Sequence, residues 1–268
     1  TRFTPQDNSA GVDSVLLGVF ISLLMLGLIM VFSSTIAMGD QNLNTNTAHF
    51  WRQLFHVVVG VGLTVLVASI PVWVWDKLSW PLLGLAFFLL LVLLFIGVEV
   101  NGSQRWFSLA GFRFQPAEFA KVAIVLYTAS YLTRRQSEIK KFSKGIVNIA
   151  VIIALMGGLL LMQPDFGSFV VMTATVGLMM FLGGIRVSHT LLCLTVVAIA
   201  MYFMVSMSPY RMDRLMSYLD PWADPYGAGF QLTQALIAVG RGEIFGVGLG
   251  ASIQKLYYLP HALSLIHI

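Results

Sequence analysis

The chain has 268 residues, of which 57% are hydrophobic and only 10% charged, and its formal net charge at pH 7 is +4. Because soluble domains carry about 25% charged residues, this composition excludes an ordinary soluble domain and predicts an integral membrane protein. The net charge is small, and no basic stripe with interleaved aromatic residues occurs, so nucleic acid is not an expected partner. The single cysteine, Cys193, cannot form an intrachain disulfide.

Seven apolar runs follow one another along the chain, each bounded by polar or turn residues. Since a helix of about 20 apolar residues crosses a bilayer, residues 1–207 are predicted to form an all-α, polytopic membrane helix bundle. Residues 208–260 are richer in Gly, Pro, Asp and Arg and predict one large extracytoplasmic loop with interfacial or re-entrant helices. The predicted spans are 13–38, 51–75, 80–99, 117–133, 145–163, 166–184 and 187–207.

The beginning of the chain carries two further expectations. Its first residue is Thr1 rather than methionine, which indicates a trimmed start. The apolar run at residues 15–38 is longer than a signal-peptide core and has no strongly basic segment before it. We therefore expect this run to be retained as the first span.

The orientation in the membrane is predicted from the basic residues. The 16 lysines and arginines divide equally between the two sides, so their number does not decide the orientation. Five of them fall in one short loop, residues 134–144, whereas those on the other side stand singly among aromatic, glycine and acidic residues. This arrangement favours a cytoplasmic N-terminus and places the turns near residues 118 and 165 on the outer face.

The fourth span begins in an unusual way, with the sequence Phe-Arg-Phe-Gln-Pro-Ala-Glu-Phe-Ala-Lys at residues 112–121. Charges at a membrane helix entrance are costly unless they pair or bind a ligand. The proline suits a first helical turn, Glu118 is favoured there by the helix dipole, and Lys121 follows at i+3. A capped helix start with an internal ion pair explains this much. Arg105 and Arg113 add cations beyond that need, which indicates an anionic, lipid-linked substrate.

Between the fifth and sixth spans, residues 163–168 read Gln-Pro-Asp-Phe-Gly-Ser. One interpretation is a tight turn, in which the proline ends one helix and Asp165 caps the next. The other places Asp165 in a polar cavity with Glu118 and Lys121, because both turns open on the same predicted face.

The large loop contains two predicted helices. Residues 209–215 predict a short amphipathic helix at the membrane surface, where Arg211 and Arg214 suit a solvated face. Residues 231–242 predict a half-length helix ending at glycine, too short to span the bilayer. The glycines at 246–250 follow no strand, so they do not predict a dinucleotide site, and the sequence shows no metal-binding or nucleophile motif.

Taken together, these motifs resemble those of the SEDS family of bacterial cell-wall polymerases, over residues 13–260. The sequence of residues 219–227, with Gln-Leu-Thr-Gln at 231–234, is similar to the cell-division (FtsW) branch more than to the elongation branch. The other matching motifs are Trp-Phe at 106–107, Phe-Gln-Pro-Ala-Glu-Phe-Ala-Lys at 114–121, Gln-Pro-Asp-Phe-Gly at 163–167 and the glycine-rich run at 240–250.

The resemblance implies a membrane glycosyltransferase, normally of ten spans, that polymerises lipid II, a disaccharide-pentapeptide on undecaprenyl pyrophosphate. It would act at the outer face of the bacterial cytoplasmic (inner) membrane, at the division septum. Its partners would be a class B penicillin-binding protein (a transpeptidase), other divisome membrane proteins and membrane lipid. No cofactor is obligatory, and a divalent cation is compatible with the substrate. The implied substrate-binding residues are Arg105, Glu118, Lys121 and Asp165 in an outer cavity, with Gln231, Gln234 and Arg241 in the loop wall that shapes it.

The end of the chain departs from the family pattern. After Leu-Pro the family continues Glu-Ala-His-Thr-Asp, and that aspartate is its proposed catalytic base. Here residues 261–268 differ, Leu265 stands in the place of the aspartate, and the last three family spans do not follow. Leucine cannot accept a proton. We therefore assign no catalytic residue and expect the chain to be an inactive, C-terminally truncated fragment.

Two other functions remain open on the sequence. Charges that line a cavity between membrane helices also suit a flippase or transporter of lipid-linked precursors. A non-catalytic divisome scaffold that docks the transpeptidase is the third candidate. Three observations distinguish these functions. Formation of glycan polymer indicates the enzyme, movement of lipid II without polymer indicates the transporter, and partner binding without activity indicates the scaffold.

Overall fold

The computed structural model describes residues 13–37, 43–100, 103–109, 112–227, 229–243 and 246–248. The predicted tail at 261–268, including Leu265, lies outside these residues. The elements in chain order are α1 (Ser14–Ala37), α2 (Leu43–Ser69), α3 (Val72–Ile96), β1 (Val98–Val100), β2 (Ser103–Leu109), β3 (Phe112–Phe114), α4 (Pro116–Arg134), a π-helical turn (Phe142–Ile146), α5 (Val147–Met162), α6 (Phe166–Leu182), α7 (Val187–Ser206), α8 (Pro209–Leu219) and α9 (Phe230–Gly242).

The predicted all-α membrane fold is confirmed, since a helix occupies each of the seven predicted spans. Helices α1, α2, α3 and α7 contain stretches long and apolar enough to cross a membrane, and α5 and α6 are shorter apolar helices. Helices α8 and α9 lie where the sequence predicted the two helices of the large loop.

The chain divides into two compact units. One comprises Ala68–Tyr202, which holds α3 to α6, the strands and most of α7. The other joins Thr1–Val67 to Phe203–Ile268 and holds α1, most of α2, and α8 and α9. The predicted separation of a bundle from a loop at residue 207 stays a prediction.

The core of the Ala68–Tyr202 unit lies between α3, α4, α5 and α6. Small side chains line the contact of α3 with α4: Ala86 and Ala120 are fully buried, and Ala117 and Ala123 nearly so. Because lipid chains are as apolar as a protein core, membrane helices associate largely through close van der Waals packing, which small residues permit. Leu90 and Leu160 fill the adjoining space with no exposed surface.

Three short antiparallel strands, in the order β1-β2-β3, connect α3 to α4, a feature that the sequence did not predict. Trp106 pairs with Val98 of β1, and Phe107 pairs with Phe114 of β3. Strand β2 also contacts α3 and α4. The strands therefore fold back over the end of the bundle at which α3 ends and α4 begins. We call this the hairpin end.

The crossing of α5 with α6 leads to a stability prediction. A methyl group added at Gly157 would lie 2.5 Å from Cε2 of the Phe169 ring, whereas one at Gly158 has no atom within 4 Å. We expect Gly157→Ala to lower the free energy of unfolding by about 1–3 kcal/mol through overpacking. Gly158→Ala should leave it unchanged or raise it by up to about 1 kcal/mol through helix propensity. Thermal unfolding in detergent measures both, and equal effects would contradict this account of the crossing.

Candidate functional site at the hairpin end

Three elements meet at the hairpin end and carry the polar residues of interest: β2, the first turns of α4, and the turn that joins α5 to α6. The sequence forms these elements for local reasons. Pro116 occupies the first position of α4, where the missing N–H costs no hydrogen bond. Asp165 is the N-cap of α6. Both residues lie at helix starts, where the first backbone N–H groups have no acceptor within the helix.

Arg105 ties β2 to the turn between α5 and α6. Its Nη2 donates a hydrogen bond to the carbonyl oxygen of Pro164, 59 residues further along the chain. Its Nε is buried and, among the described residues, has no hydrogen-bond partner. Leaving a buried donor unpaired costs about 1–3 kcal/mol, more for a charged group. Arg105 therefore holds an unused donor that an oxygen of a ligand or a water would satisfy.

Asp165 is the acidic counterpart of Arg105. Its side chain is 4% exposed, and Oδ1 accepts a hydrogen bond from the N–H of Ser168 at 3.2 Å, which satisfies one of the free donors at the start of α6. The other oxygen, Oδ2, is buried and has no partner among the described residues. The capping interpretation is thus correct for one oxygen, and the second remains able to accept a hydrogen bond.

Gln163 is a residue of the site that was quoted within its motif but not singled out from the sequence. It is 1% exposed, and its Nε2 donates to the carbonyl oxygen of Leu90 in α3 at 2.7 Å. A glutamine that follows a long apolar run directly was the available signal, because a buried amide requires a partner. This bond fixes the turn between α5 and α6 against α3.

Glu118 and Lys121 pair with each other at 2.8 Å, as their i,i+3 spacing predicted. The carboxylate side chain is 61% exposed and the lysine side chain 26%. An exposed ion pair of this kind contributes about 0–1 kcal/mol, so it is not needed to hold α4 in place. The side chain of Arg113 lies outside the described residues.

The hairpin end carries an unused donor, Arg105 Nε, an unused acceptor, Asp165 Oδ2, and a partly exposed Lys121 that can exchange its partner. The guanidinium and ammonium groups suit phosphate oxygens, and the N-terminus of α6 adds partial positive charge. The carboxylate suits a hydroxyl donor. Such a set supplies donors for phosphate oxygens and an acceptor for a hydroxyl group.

The other three predicted binding residues, Gln231, Gln234 and Arg241, lie on α9, in the other unit. With 3.6 residues per turn, their positions fall within about 80° of one another around the helix. Both glutamines are partly buried and the arginine is exposed. Thr233 fixes the start of α9, since its Oγ1 donates to the carbonyl oxygen of Pro221 at 3.1 Å.

Within the described ranges, no group of three or more His, Cys, Asp or Glu residues is placed to hold a metal ion.

Comparison with known proteins supports the resemblance. The family model described as "Cell cycle protein", which covers FtsW, RodA and SpoVE, matches residues 13–264. The probable peptidoglycan glycosyltransferase FtsW of Nitrosococcus halophilus is 46% identical over 261 residues, which are 97% of this chain and 66% of that protein. The protein of the same name from Pseudomonas fluorescens is 42% identical over 93% of this chain and 62% of its own length. The chain thus spans just under two thirds of the length of these curated relatives.

Solved structures agree. A chain from a peptidoglycan synthase complex that coordinates polymerization and crosslinking matches with a TM-score of 0.70 and 29% identity, over 88% of this chain and 67% of that chain. The rod shape determining protein RodA of Thermus thermophilus matches with a TM-score of 0.60 and 28% identity, over 72% of this chain and 60% of that chain. Sequence motifs, family model and fold therefore agree: this multi-pass membrane protein belongs to the SEDS family, with FtsW-type proteins among its relatives.

Proposed function

We propose that the chain is the substrate-binding membrane part of a peptidoglycan glycosyltransferase that polymerises lipid II in septal cell-wall synthesis. The observation that carries the proposal is the pair of unsatisfied buried atoms, Asp165 Oδ2 in the turn between α5 and α6 and Nε of Arg105, which is bonded to that turn. Its relatives are named peptidoglycan glycosyltransferases, and lipid II offers the phosphate oxygens and hydroxyls that these two atoms lack.

The chemistry is a glycosyl transfer. A sugar hydroxyl of one substrate attacks the anomeric carbon of the other, whose bond to the pyrophosphate oxygen breaks, and the pyrophosphate leaves with the electron pair. The hydroxyl proton passes to a base. In the proposed arrangement, Arg105 and Lys121 lie against the pyrophosphate and stabilise the negative charge that develops on it. Asp165 accepts a hydrogen bond from a sugar hydroxyl and thereby orients the ring.

The base is not assigned to a described residue. The family resemblance puts an aspartate where this chain has Leu265, and leucine has no acceptor.

Glu118 would keep Lys121 oriented before the substrate arrives, since the two are paired at 2.8 Å. Gln231, Gln234 and Arg241 share one side of α9, which supports a proposed role for that side as a polar, substrate-facing surface.

The proposed setting follows from the substrate. Lipid II is used at the extracytoplasmic face of the inner membrane, at the division septum, and the strand product is cross-linked by a class B penicillin-binding protein among other divisome proteins. No cofactor is obligatory in this scheme. A divalent cation, if required, would enter with the pyrophosphate.

A reconstitution experiment tests the proposal. A fusion protein is made in which residues 1–260 of this chain are followed by the remaining part of the Nitrosococcus halophilus relative. The fusion is placed in liposomes with fluorescent lipid II and the transpeptidase partner. We expect the fusion to form glycan strands, which gel electrophoresis resolves. The unfused chain of 268 residues is expected to bind lipid II without forming strands. The same liposomes report lipid II movement between leaflets by accessibility to an external quencher. Movement of lipid II without glycan strands would favour the transporter. Binding of the transpeptidase with neither lipid II movement nor glycan strands would favour the scaffold.

A further inference from the structure

A cavity lies at the opposite end of the Ala68–Tyr202 unit from the site described above, where α3 begins, α4 ends and α5 begins. We call this the basic end. The cavity has a volume of about 530 Å³ and is lined by residues of all three helices, among them Trp80, Tyr127, Arg134, Asn148 and Val151. Cavities of this size hold small ligands or lipid headgroups.

The helices are held together at this end by contacts that leave the cavity open. The Trp80 and Tyr127 rings meet edge to face, with centroids 4.9 Å apart. Ser130 donates a hydrogen bond to Asp76 Oδ1, which joins α4 to the first turns of α3. The two rings line the cavity, and the bond between Ser130 and Asp76 holds the last turns of α4 beside the start of α3.

Arg134 supplies the polar group of the cavity that is best placed for a ligand. Its Nε donates to the carbonyl oxygen of Ser130 at 3.1 Å, which directs the guanidinium while leaving both terminal nitrogens without a partner among the described residues. Arg135, also in the lining, pairs with Glu138 at 3.0 Å and lies 5.9 Å from the centroid of the Tyr131 ring. Of the two lining arginines, Arg134 is therefore the one without an acidic partner among the described residues. A phosphate is the group that a guanidinium binds best.

The remaining wall of the cavity is apolar and includes exposed side chains. Val151 of α5 is 51% exposed and Trp80 of α3 is 55% exposed, and both line the cavity. Tryptophan and tyrosine are enriched at the membrane–water boundary, where one end of the ring system is apolar and the other wet. A ligand held here thus meets a polar end formed by Arg134 and Asn148 and an apolar side open to acyl chains.

The surrounding charge favours an anion. By sequence, cations outnumber acids at this end of the unit by seven to two. The cations are Lys77, Arg134, Arg135, Lys140, Lys141, Lys144 and Arg186, and the acids are Asp76 and Glu138.

We propose that this cavity binds the phosphate headgroup of an anionic membrane lipid, with the phosphate on Arg134 and Asn148 and an acyl chain along Val151. The exposed apolar wall favours a lipid over an acidic peptide, because an acyl chain can pack against Val151 and Trp80. The site is independent of the proposed glycosyltransferase function, because none of its residues belongs to the hairpin end.

Lipid retention tests the proposal. The purified protein is exchanged from mixed phosphatidylglycerol–phosphatidylcholine nanodiscs into mild detergent, and bound lipid is quantified by native mass spectrometry. We expect phosphatidylglycerol to be retained by the unaltered protein and retention to fall at least tenfold in Arg134→Gln. Lys140→Gln is the matched control, since it removes the same charge from an exposed position outside the cavity, and should change retention less than twofold.

The other outcomes are equally decisive. Equal losses in Arg134→Gln and Lys140→Gln would show a diffuse attraction to the basic loop and overturn the site. Displacement of the lipid by millimolar inorganic phosphate, or tight binding of an acidic peptide in phosphatidylcholine alone, would also overturn it. To separate binding from folding, Val151→Asp places an acid against the acyl chain at an exposed position. It should lower retention while leaving the unfolding temperature in phosphatidylcholine within a few degrees of the unaltered protein.

Discussion

Arg105→Gln is expected to lower the affinity for lipid II about 100-fold. The substitution removes the positive charge, the unused Nε donor and the bond to the carbonyl oxygen of Pro164. Truncating one partner of a buried, charged hydrogen-bonded pair costs about 2–5 kcal/mol, and about 2.7 kcal/mol corresponds to a 100-fold change. Titration of the protein in nanodiscs with fluorescent lipid II measures the affinity directly.

The control for this substitution is Arg186→Gln. Arg186 is exposed in the turn between α6 and α7, at the other end of α6 from Asp165, so the same loss of charge occurs away from the site. We expect its affinity for lipid II to stay within twofold of the unaltered protein. If both variants lose affinity equally, the effect is one of net charge, and Arg105 is not a substrate-binding residue.

Asp165 allows its two roles to be separated by two substitutions. Asparagine is as good an N-cap as aspartate, whereas alanine caps poorly. We expect Asp165→Ala to lower the free energy of unfolding by about 1–2 kcal/mol, because the N–H of Ser168 loses its acceptor. Asp165→Asn should change stability by less than about 0.5 kcal/mol. Thermal unfolding in detergent measures both values.

The same pair of variants tests the site. If Oδ2 accepts a hydrogen bond from a sugar hydroxyl, replacing the carboxylate by a neutral amide should weaken lipid II binding about tenfold, since hydrogen bonds to charged groups are worth about 1.5–3 kcal/mol. The Asn variant would then bind poorly while remaining stable. Normal lipid II binding by Asp165→Asn would reduce Asp165 to a helix cap.

The helical fold could be predicted from the sequence because one physical rule dominates it. In lipid, backbone groups must pair within the segment, so apolar runs of sufficient length become helices. Local signals were also reliable where they concern neighbours on one helix. The pairing of Glu118 with Lys121 and the cap formed by Asp165 both depend on residues three positions apart.

What the sequence did not reveal depends on contacts between distant residues. The strands from Val98 to Phe114 lack a long alternating pattern, and the bulge after Val98 interrupts the pairing. The bond from Arg105 to Pro164 joins residues 59 positions apart, and that from Gln163 to Leu90 joins residues 73 apart. The cavity at the basic end draws its lining from three helices, so no single motif indicates it.

The turn between α5 and α6 is attached twice, by the amide of Gln163 to α3 and by the guanidinium of Arg105 to its Pro164 carbonyl. The hydrogen bond from the Gln163 side-chain amide is buried, so water does not compete for it as it would at an exposed position. The turn is therefore preorganised: its conformational entropy is lost on folding and need not be lost again when a ligand binds. Binding energy that a mobile loop would spend on becoming ordered stays available for holding the ligand.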